Sequence, residues 1–121
     1  MEESILKTIK KLLGLLEDDP SFDLDVTTHI NSTLVTLQQL GFPVPVNFSV
    51  DDEAATWTEL LPTDKDVRFV KTYIALKVRL VFDPPANSFT TNSMQEQVRE
   101  LESRILYLVD DQVPTILEEA P

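Results

Sequence analysis

The sequence has no cysteine, only two glycines and a single histidine. Without cysteine there can be no disulfide framework, no thiolate metal site and no cysteine nucleophile, and a reducing cytoplasm suits the chain. Gly14 and Gly41 each lie at a predicted helix end, so no glycine-rich loop is present to hold a phosphate. A zinc site built around His29 would take nearly all its ligands from carboxylates. We therefore expect no catalytic residue, no metal site and no cofactor.

Positive charge is also scarce. Ten Lys and Arg against 21 Asp and Glu give a formal net charge of −11, which opposes non-specific attraction to nucleic acid and to anionic lipid. No apolar run is long enough to span a bilayer, and the first residues lack the pattern of a signal peptide. We expect a soluble cytoplasmic protein without a membrane partner, whose acidic surface would let DNA slide past without sticking.

Three acidic clusters, at residues 17–19, 23–25 and 51–53, raise the question of a calcium site. None has the spacing and the obligatory glycine of a helix-loop-helix calcium loop. All three lie near predicted helix ends or in first turns, where negative charge is favourable. We interpret them as helix caps and solvated charge.

With 121 residues, of which 42% are hydrophobic, the chain can bury a core as one domain. Apolar residues recur every three or four positions in several segments, which is typical of amphipathic helices. The first helix is predicted at about residues 3 to 15, with three lysines on its solvent side (Lys7, Lys10 and Lys11). The fold class is therefore all-α: a small bundle of about four to five helices, with a Pro-rich loop at 42–50 and an extended C-terminal tail.

Capping residues predict where the second and third helices begin. Ser21 or Asp23 can cap the second helix, which ends at Gly41. Ser49 followed by Asp52 resembles a capping box, which predicts a short third helix from that point.

The longest apolar segment predicts a central helix at about residues 64 to 82. More than half of its circumference is apolar, and the Asp-Pro-Pro run that follows turns the chain away from its axis. Lys77 lies within the apolar arc, where we expect a salt bridge with a carboxylate. A last helix, capped by Thr91 or Asn92 and running to about Asp110, has a narrow apolar seam.

Large apolar and aromatic side chains at the predicted buried positions should anchor the core, namely Trp57, Tyr73, Ile74 and Leu101. The cations of the central helix instead share the one arc that lacks large apolar groups. We call them the basic stripe: Lys65, Arg68, Lys71 and Arg79. The stripe is either a solvated face or a surface that pairs with the acidic surface of an identical neighbour.

The end of the sequence differs from the rest, because its few apolar residues have too little around them to bury. We divide the chain into a helical domain at residues 1–111 and a C-terminal tail at residues 112–121. The apolar residues of the tail, Val113, Ile116 and Leu117, are expected to be a docking segment.

Four stretches, in a characteristic order, carry a resemblance to a known family. They are HINSTLVTLQQLG, a short Trp-bearing helix, VKTYIALKVRLVFDPP and MQEQVRELESRI. Together they resemble the head-tail connector (adaptor) proteins of tailed bacteriophages and prophages, over about residues 3 to 108.

The resemblance implies a structural role without catalysis. Connector subunits of this kind form a ring of identical copies, twelve to match the twelvefold portal protein that closes the phage head. The ring would extend the DNA channel, through which DNA passes without specific binding, and would dock the downstream stopper or tail-completion protein. The chain would then lie at the head-tail junction of the virion, after assembly in the host cytoplasm. The tail lies outside the resemblance. As a separate hypothesis, we expect Val113, Ile116 and Leu117 to dock on the portal or on an adjacent subunit, because their apolar surface is otherwise unexplained.

The alternative interpretation is a small acidic regulatory binding module of the DNA-mimic type. A DNA mimic would carry carboxylates on a continuous exposed face. The basic stripe interrupts such a face here, so we favour the connector.

Overall fold

The computed structural model describes residues 3–61 and 68–112, without the side chains of 110–112. Within those ranges it has no strand and five α-helices, which confirms the expected all-α bundle. The extended tail and the domain boundary before it stay predictions. The helices are α1 (Ile5–Leu12), α2 (Asp23–Gln39), α3 (Trp57–Leu60), α4 (Arg68–Phe82) and α5 (Ser88–Gln112).

The core is built around α4, which packs against α2 on one side and α5 on the other, while α1 packs on α2. One cluster of buried side chains runs through all five helices. Trp57 of α3 and Leu101 of α5 belong to it, with 4% and 9% of their surface exposed. The contribution of α4 is four side chains with no exposed surface: Val70, Tyr73, Ile74 and Val78.

The start of the chain is joined to the start of α3. The Ile5 N–H donates to the Ala55 carbonyl at 3.0 Å, and the Trp57 N–H donates to the Glu3 carbonyl at 3.1 Å. These two bonds form an isolated antiparallel bridge between Ser4 and Thr56. The N-terminal residues are therefore held against α3 before α1 begins.

The prediction of a capping box at Ser49 and Asp52 is wrong. The box is formed by Thr56 and Glu59, whose side chains each accept a hydrogen bond from the other's backbone N–H. Asp52 instead accepts from the Ala54 N–H at 2.8 Å, which closes a local turn. Both pairs have the residue types of a capping box, and only the later one is followed directly by buried Trp57.

The predicted cap of α2 is also wrong. Phe22 occupies the capping position and makes no side-chain cap bond. Asp19 lies further upstream, where its carboxylate accepts from the Ser21 N–H at 3.0 Å and begins a 3-10 turn at Pro20–Phe22. That turn leads directly into α2, so its first N–H groups need no separate side-chain acceptor.

The last helix begins earlier than predicted. Asn87 Oδ1 accepts from the backbone N–H of Phe89 at 2.7 Å and of Thr90 at 3.3 Å, and α5 starts at Ser88. Thr91 is not the cap, because its hydroxyl donates to the Pro85 carbonyl at 3.2 Å. The two prolines end α4 at Phe82, and α5 begins after five intervening residues, at Ser88.

The Pro-rich segment at 42–50 is a loop, as predicted, and both its ends are buried. Asn31 of α2 fixes its far end: Nδ2 donates to the Val50 carbonyl at 3.0 Å, and Oδ1 accepts from the Val50 N–H at 2.8 Å. Gly41 fixes the near end with a φ of +96°, and a Cβ there would lie 2.9 Å from Cγ1 of Val109. The end of α2 therefore packs tightly on the last turns of α5.

Lys10 is the largest departure from the expected helix faces. The helical pattern predicts Lys10 on the solvent side of α1, yet only 2% of its surface is exposed. Its Nζ donates to the carbonyls of Glu17 at 3.0 Å and Asp19 at 2.7 Å, and lies 2.8 Å from Oδ1 of Asp23. Lys10 follows buried Leu6 by four residues, so it lies at the edge of the apolar face and not opposite it.

The exposed side of α1 is shifted correspondingly. The apolar residues Ile5, Leu6, Ile9, Leu12, Leu13 and Leu16 recur at helical spacing, which predicts one apolar face, yet Leu12 is 56% exposed and Leu16, beyond the helix, is 75% exposed. α1 is thus rotated so that a lysine is buried and a leucine faces solvent. The helix is also shorter than predicted, because Gly14 has a φ of +82°.

Tyr73 joins α4 to α5 through its hydroxyl, which donates to Oε2 of Glu102 at 2.8 Å. Burial raises the pKa of Tyr73 above its ordinary value of 10.0, and the hydrogen bond to Glu102 and the charge of that carboxylate act in the same direction. The phenol therefore stays protonated at a pH at which an unfolded tyrosine ionises.

Replacing Lys10 by Met should destabilise the protein by about 2 to 4 kcal/mol, because a buried carboxylate oxygen and two carbonyls lose their donor. Asp23 Oδ1 is buried and has no hydrogen-bond partner among the described residues, so the ion pair with Lys10 is what compensates its charge. The measurement is urea unfolding at pH 7. Lys11→Met, at the exposed neighbour, is the matched control and should change stability by less than about 0.5 kcal/mol. Equal losses for the two variants would show that the Lys10 contacts contribute little.

Stability should fall at alkaline pH because of Tyr73. Above about pH 10 the unfolded chain releases the Tyr73 proton while the folded chain keeps it, so the free energy of unfolding drops by up to about 1.4 kcal/mol per pH unit from this group. Tyr73→Phe should show a shallower decline between about pH 9 and 11 in urea titrations. Tyr107→Phe removes the same hydroxyl from a side chain that is 74% exposed. If all three proteins declined in parallel, Tyr73 would not be the cause.

Candidate functional site

The basic stripe lies on the side of α4 away from its four buried positions. The start of α5 approaches this side near Arg79. Arg68 is exposed, and Lys71 and Arg79 are half-buried. Lys65, the fourth member of the stripe, lies outside the described residues, as do Val113, Ile116 and Leu117 of the tail.

Lys71 has partners within its own chain. Its Nζ lies 3.1 Å from Oε1 of Glu3 and 5.2 Å from the centre of the Trp57 ring. The indole N–H of Trp57 donates to the Thr8 hydroxyl at 3.0 Å, which holds the ring beneath the ammonium group. Lys71 therefore joins α4 to the N-terminal residues, and only part of its charge is available to a neighbour.

Arg79 is placed differently. Its Nε donates to the carbonyl of Asp83 at 2.7 Å, just past the last turn of α4, where a cation is favoured by the helix dipole. Among the residues that the structure describes, no carboxylate lies within 4 Å of Arg79. Its two terminal nitrogens therefore keep N–H donors for an anionic group. Arg68 makes an interaction of its own.

The expected salt bridge of Lys77 is not formed with any carboxylate of residues 3–61 and 68–109. Lys77 is half-buried in a shallow depression between α4 and α5, which Val98, Arg99 and Glu102 also line. The Glu102 carboxylate accepts from Tyr73 instead. The long aliphatic stem lets Lys77 cover apolar surface while its ammonium group reaches water.

An apolar groove lies beside the stripe, between the end of α1, the middle of α4 and the start of α5. It combines the exposed Leu12 with partly buried apolar groups and one cation. Sequence analysis missed it, since periodicity placed Leu12 in the core and gave no sign that Met94 comes near it. The groove is lined by Leu12, Thr72, Ala75, Leu76, Arg79 and Met94.

Acidic side chains near loops and helix ends are used for local turns, in line with their interpretation as caps. Asp19 is the example whose pKa is perturbed: the hydrogen bonds from the Ser21 hydroxyl, at 2.6 Å, and from the Ser21 N–H lower it. Asp51 accepts from the Ser49 hydroxyl at 3.1 Å. These contacts hold the loops and do not gather carboxylates around one point.

The single histidine, His29, packs against an aromatic side chain. The His29 ring meets the edge of Phe82, with 6.4 Å between ring centres, and Phe82 also contacts Phe22. Across the described residues, no group of three or more His, Cys, Asp and Glu side chains is arranged to hold a metal ion. No helix in that part of the chain is long and apolar enough to cross a membrane.

Comparison with known proteins identifies a family. A family model described as phage connector protein matches residues 5–112, from the first residue of α1 to the last of α5. No curated protein and no solved structure matches the chain. The matched range contains all five helices and the groove, together with every described member of the basic stripe.

Proposed function

The chain belongs to the phage connector protein family, and we propose that it works as a ring-forming head-tail connector below the portal. The family match over residues 5–112 carries this proposal. A connector of this family is a structural component of the virion and not an enzyme. The finer statements, namely the ring of identical subunits, the contact with the portal and the docking of a stopper or tail-completion protein, are the proposal.

The charge distribution supports this role. A net charge of −11 would keep the wall of a channel from holding DNA by its phosphates. Subunits with that charge repel one another unless their cations lie at the contacts. The basic stripe is one place where an acidic neighbour would be accepted, and Arg79 still has N–H donors to offer there.

The apolar groove adds a hydrophobic surface beside the charged one. Stable contacts between subunits need an apolar centre with polar groups around it. The groove provides apolar groups from three helices with Arg79 among them. The stripe and the groove meet at that residue, so we place the contact between subunits on this side of α4.

Quantitative mass spectrometry of purified particles tests the connector role. We expect about one copy of this chain per portal subunit if the ring follows the portal symmetry. A chain missing from the particles would overturn the proposal and leave the small acidic binding module as the better account.

Charge reversal tests the stripe. The double variant Arg68→Glu and Arg79→Glu should reduce the copies per particle by at least about tenfold, because two attractive contacts become repulsive. The measurement is the same mass spectrometry, after circular dichroism has shown that the purified variant is folded.

The matched control reverses two arginines of α5, Arg99→Glu and Arg104→Glu. Both side chains are exposed and pair with glutamates on their own helix, at 3.6 and 2.9 Å. This control has the same change in net charge and should assemble nearly as the unsubstituted chain does. Equal incorporation of both double variants would exclude the stripe from the contact.

A further inference from the structure

The apolar groove and the tail have complementary chemistry. The groove presents Leu12, Leu76 and Met94 together with the cation Arg79. The tail reads Ile116, Leu117 and then two glutamates at 118–119. An apolar pair followed by an acidic pair matches an apolar groove that has an arginine in its wall.

The length of the chain decides whose tail can fill the groove. α5 runs to Gln112, and the helix between Met94 and Gln112 is about 27 Å long at about 1.5 Å per residue. From Gln112 to Leu117 a fully extended chain spans at most about 18 Å. Even if the chain ran straight back along α5, the Cα atoms of the apolar pair would stay about 9 Å or more from that of Met94 in the same subunit. The chain length therefore favours the groove of a second copy.

The net charge of the chain also limits which surfaces can bind the acidic tail. Most of the molecule would repel the two glutamates of the tail, because the chain carries a formal charge of −11. Two cations lie at the groove, namely Arg79 in its wall and exposed Lys11, which precedes Leu12 in α1. Within the described residues, neither cation has a carboxylate within 4 Å.

We infer that the tail of one subunit docks in the apolar groove of a second copy, with Ile116 and Leu117 against Leu12 and Met94 and the glutamates facing Arg79. The inference rests on the proposed function, since it needs copies of this chain side by side. It specifies which acidic group the stripe accepts. The contact is heterologous, because tail and groove are different surfaces, and such a contact closes into a ring when the rotation from one subunit to the next is a whole fraction of a turn.

Cysteine cross-linking between two single variants tests it, because the natural chain has no cysteine. Thr72→Cys places a thiol on an exposed residue of the groove, and Thr115→Cys places one in the tail beside the apolar pair. The two variants are co-expressed during phage assembly, particles are purified and treated with diamide, and disulfide-linked dimers are measured on a non-reducing gel. Only contacts between copies can join these two chains.

A dimer of Thr72→Cys with Thr115→Cys is the expected result. Leu12→Cys offers a second groove position, and Ser32→Cys, on an exposed part of α2 outside the groove, is the control that should give little dimer. Particles that contain the chain but yield no more dimer from either groove position than from Ser32→Cys would overturn the inference and leave the connector role intact. Particles that lack even the unsubstituted chain would overturn both.

A charge exchange gives an independent measurement. Arg79→Glu should lower the yield of the cross-link with Thr115→Cys chains by about fivefold, the order expected for a solvent-exposed ion pair. Glu118→Lys and Glu119→Lys in the tail partner should restore it. If the yield of the cross-link were the same with and without both changes, the tail would bind elsewhere.

Discussion

The burial of α4 between α2 and α5 is the constraint on which the rest of the molecule depends. Its buried residues are excluded from water on both sides, so the cations of the basic stripe emerge along the strip that the neighbours leave uncovered. Lys77 instead lies in the depression between α4 and α5. That strip is where α1 and the start of α5 approach. A single helix therefore supplies the centre of the core, part of the groove and the charges beside it.

The few cations of this acidic chain are placed where segments meet. Lys10 joins α1 to the residues that lead into α2, Lys71 joins α4 to the N-terminal residues, and Arg79 joins the end of α4 to the turn after it. In each of these contacts, part of the positive charge of the side chain is used within the subunit. Because Lys10 and Lys71 each pair with a carboxylate, the net charge of the remaining surface is unchanged, but fewer cations are left on it to meet a partner. The remaining N–H donors of Arg79 are therefore more distinctive.

Helical periodicity was enough to predict the fold class and most of the core, because α2, α4 and α5 bury most of the side chains that the spacing indicates. Val81 of α4 is an exception, since it follows that spacing and is 61% exposed. Residue types did not predict the start of α3, because two nearby pairs both have the residue types of a helix cap. Ser49 with Asp52 and Thr56 with Glu59 both resemble caps, and only packing of Trp57 selects the second. The prediction that Lys10 faces solvent was wrong for another reason. Its partners include two backbone carbonyls, and no sequence pattern indicates which carbonyls lie near a side chain. The groove depends on how α1 is rotated, so its position could not be predicted before the burial of Lys10 was known.

The close approach of Gly41 to Val109 has a mechanical consequence. At 2.9 Å, the space for a Cβ is already occupied, so the ends of α2 and α5 cannot come closer together. The tail begins three residues after Val109, and its point of departure is therefore tied to α2 as well as to α4. If neighbouring copies exchange tails, a tilt of α2 in one subunit would move the segment that the next subunit holds, and the ring would respond as one connected body.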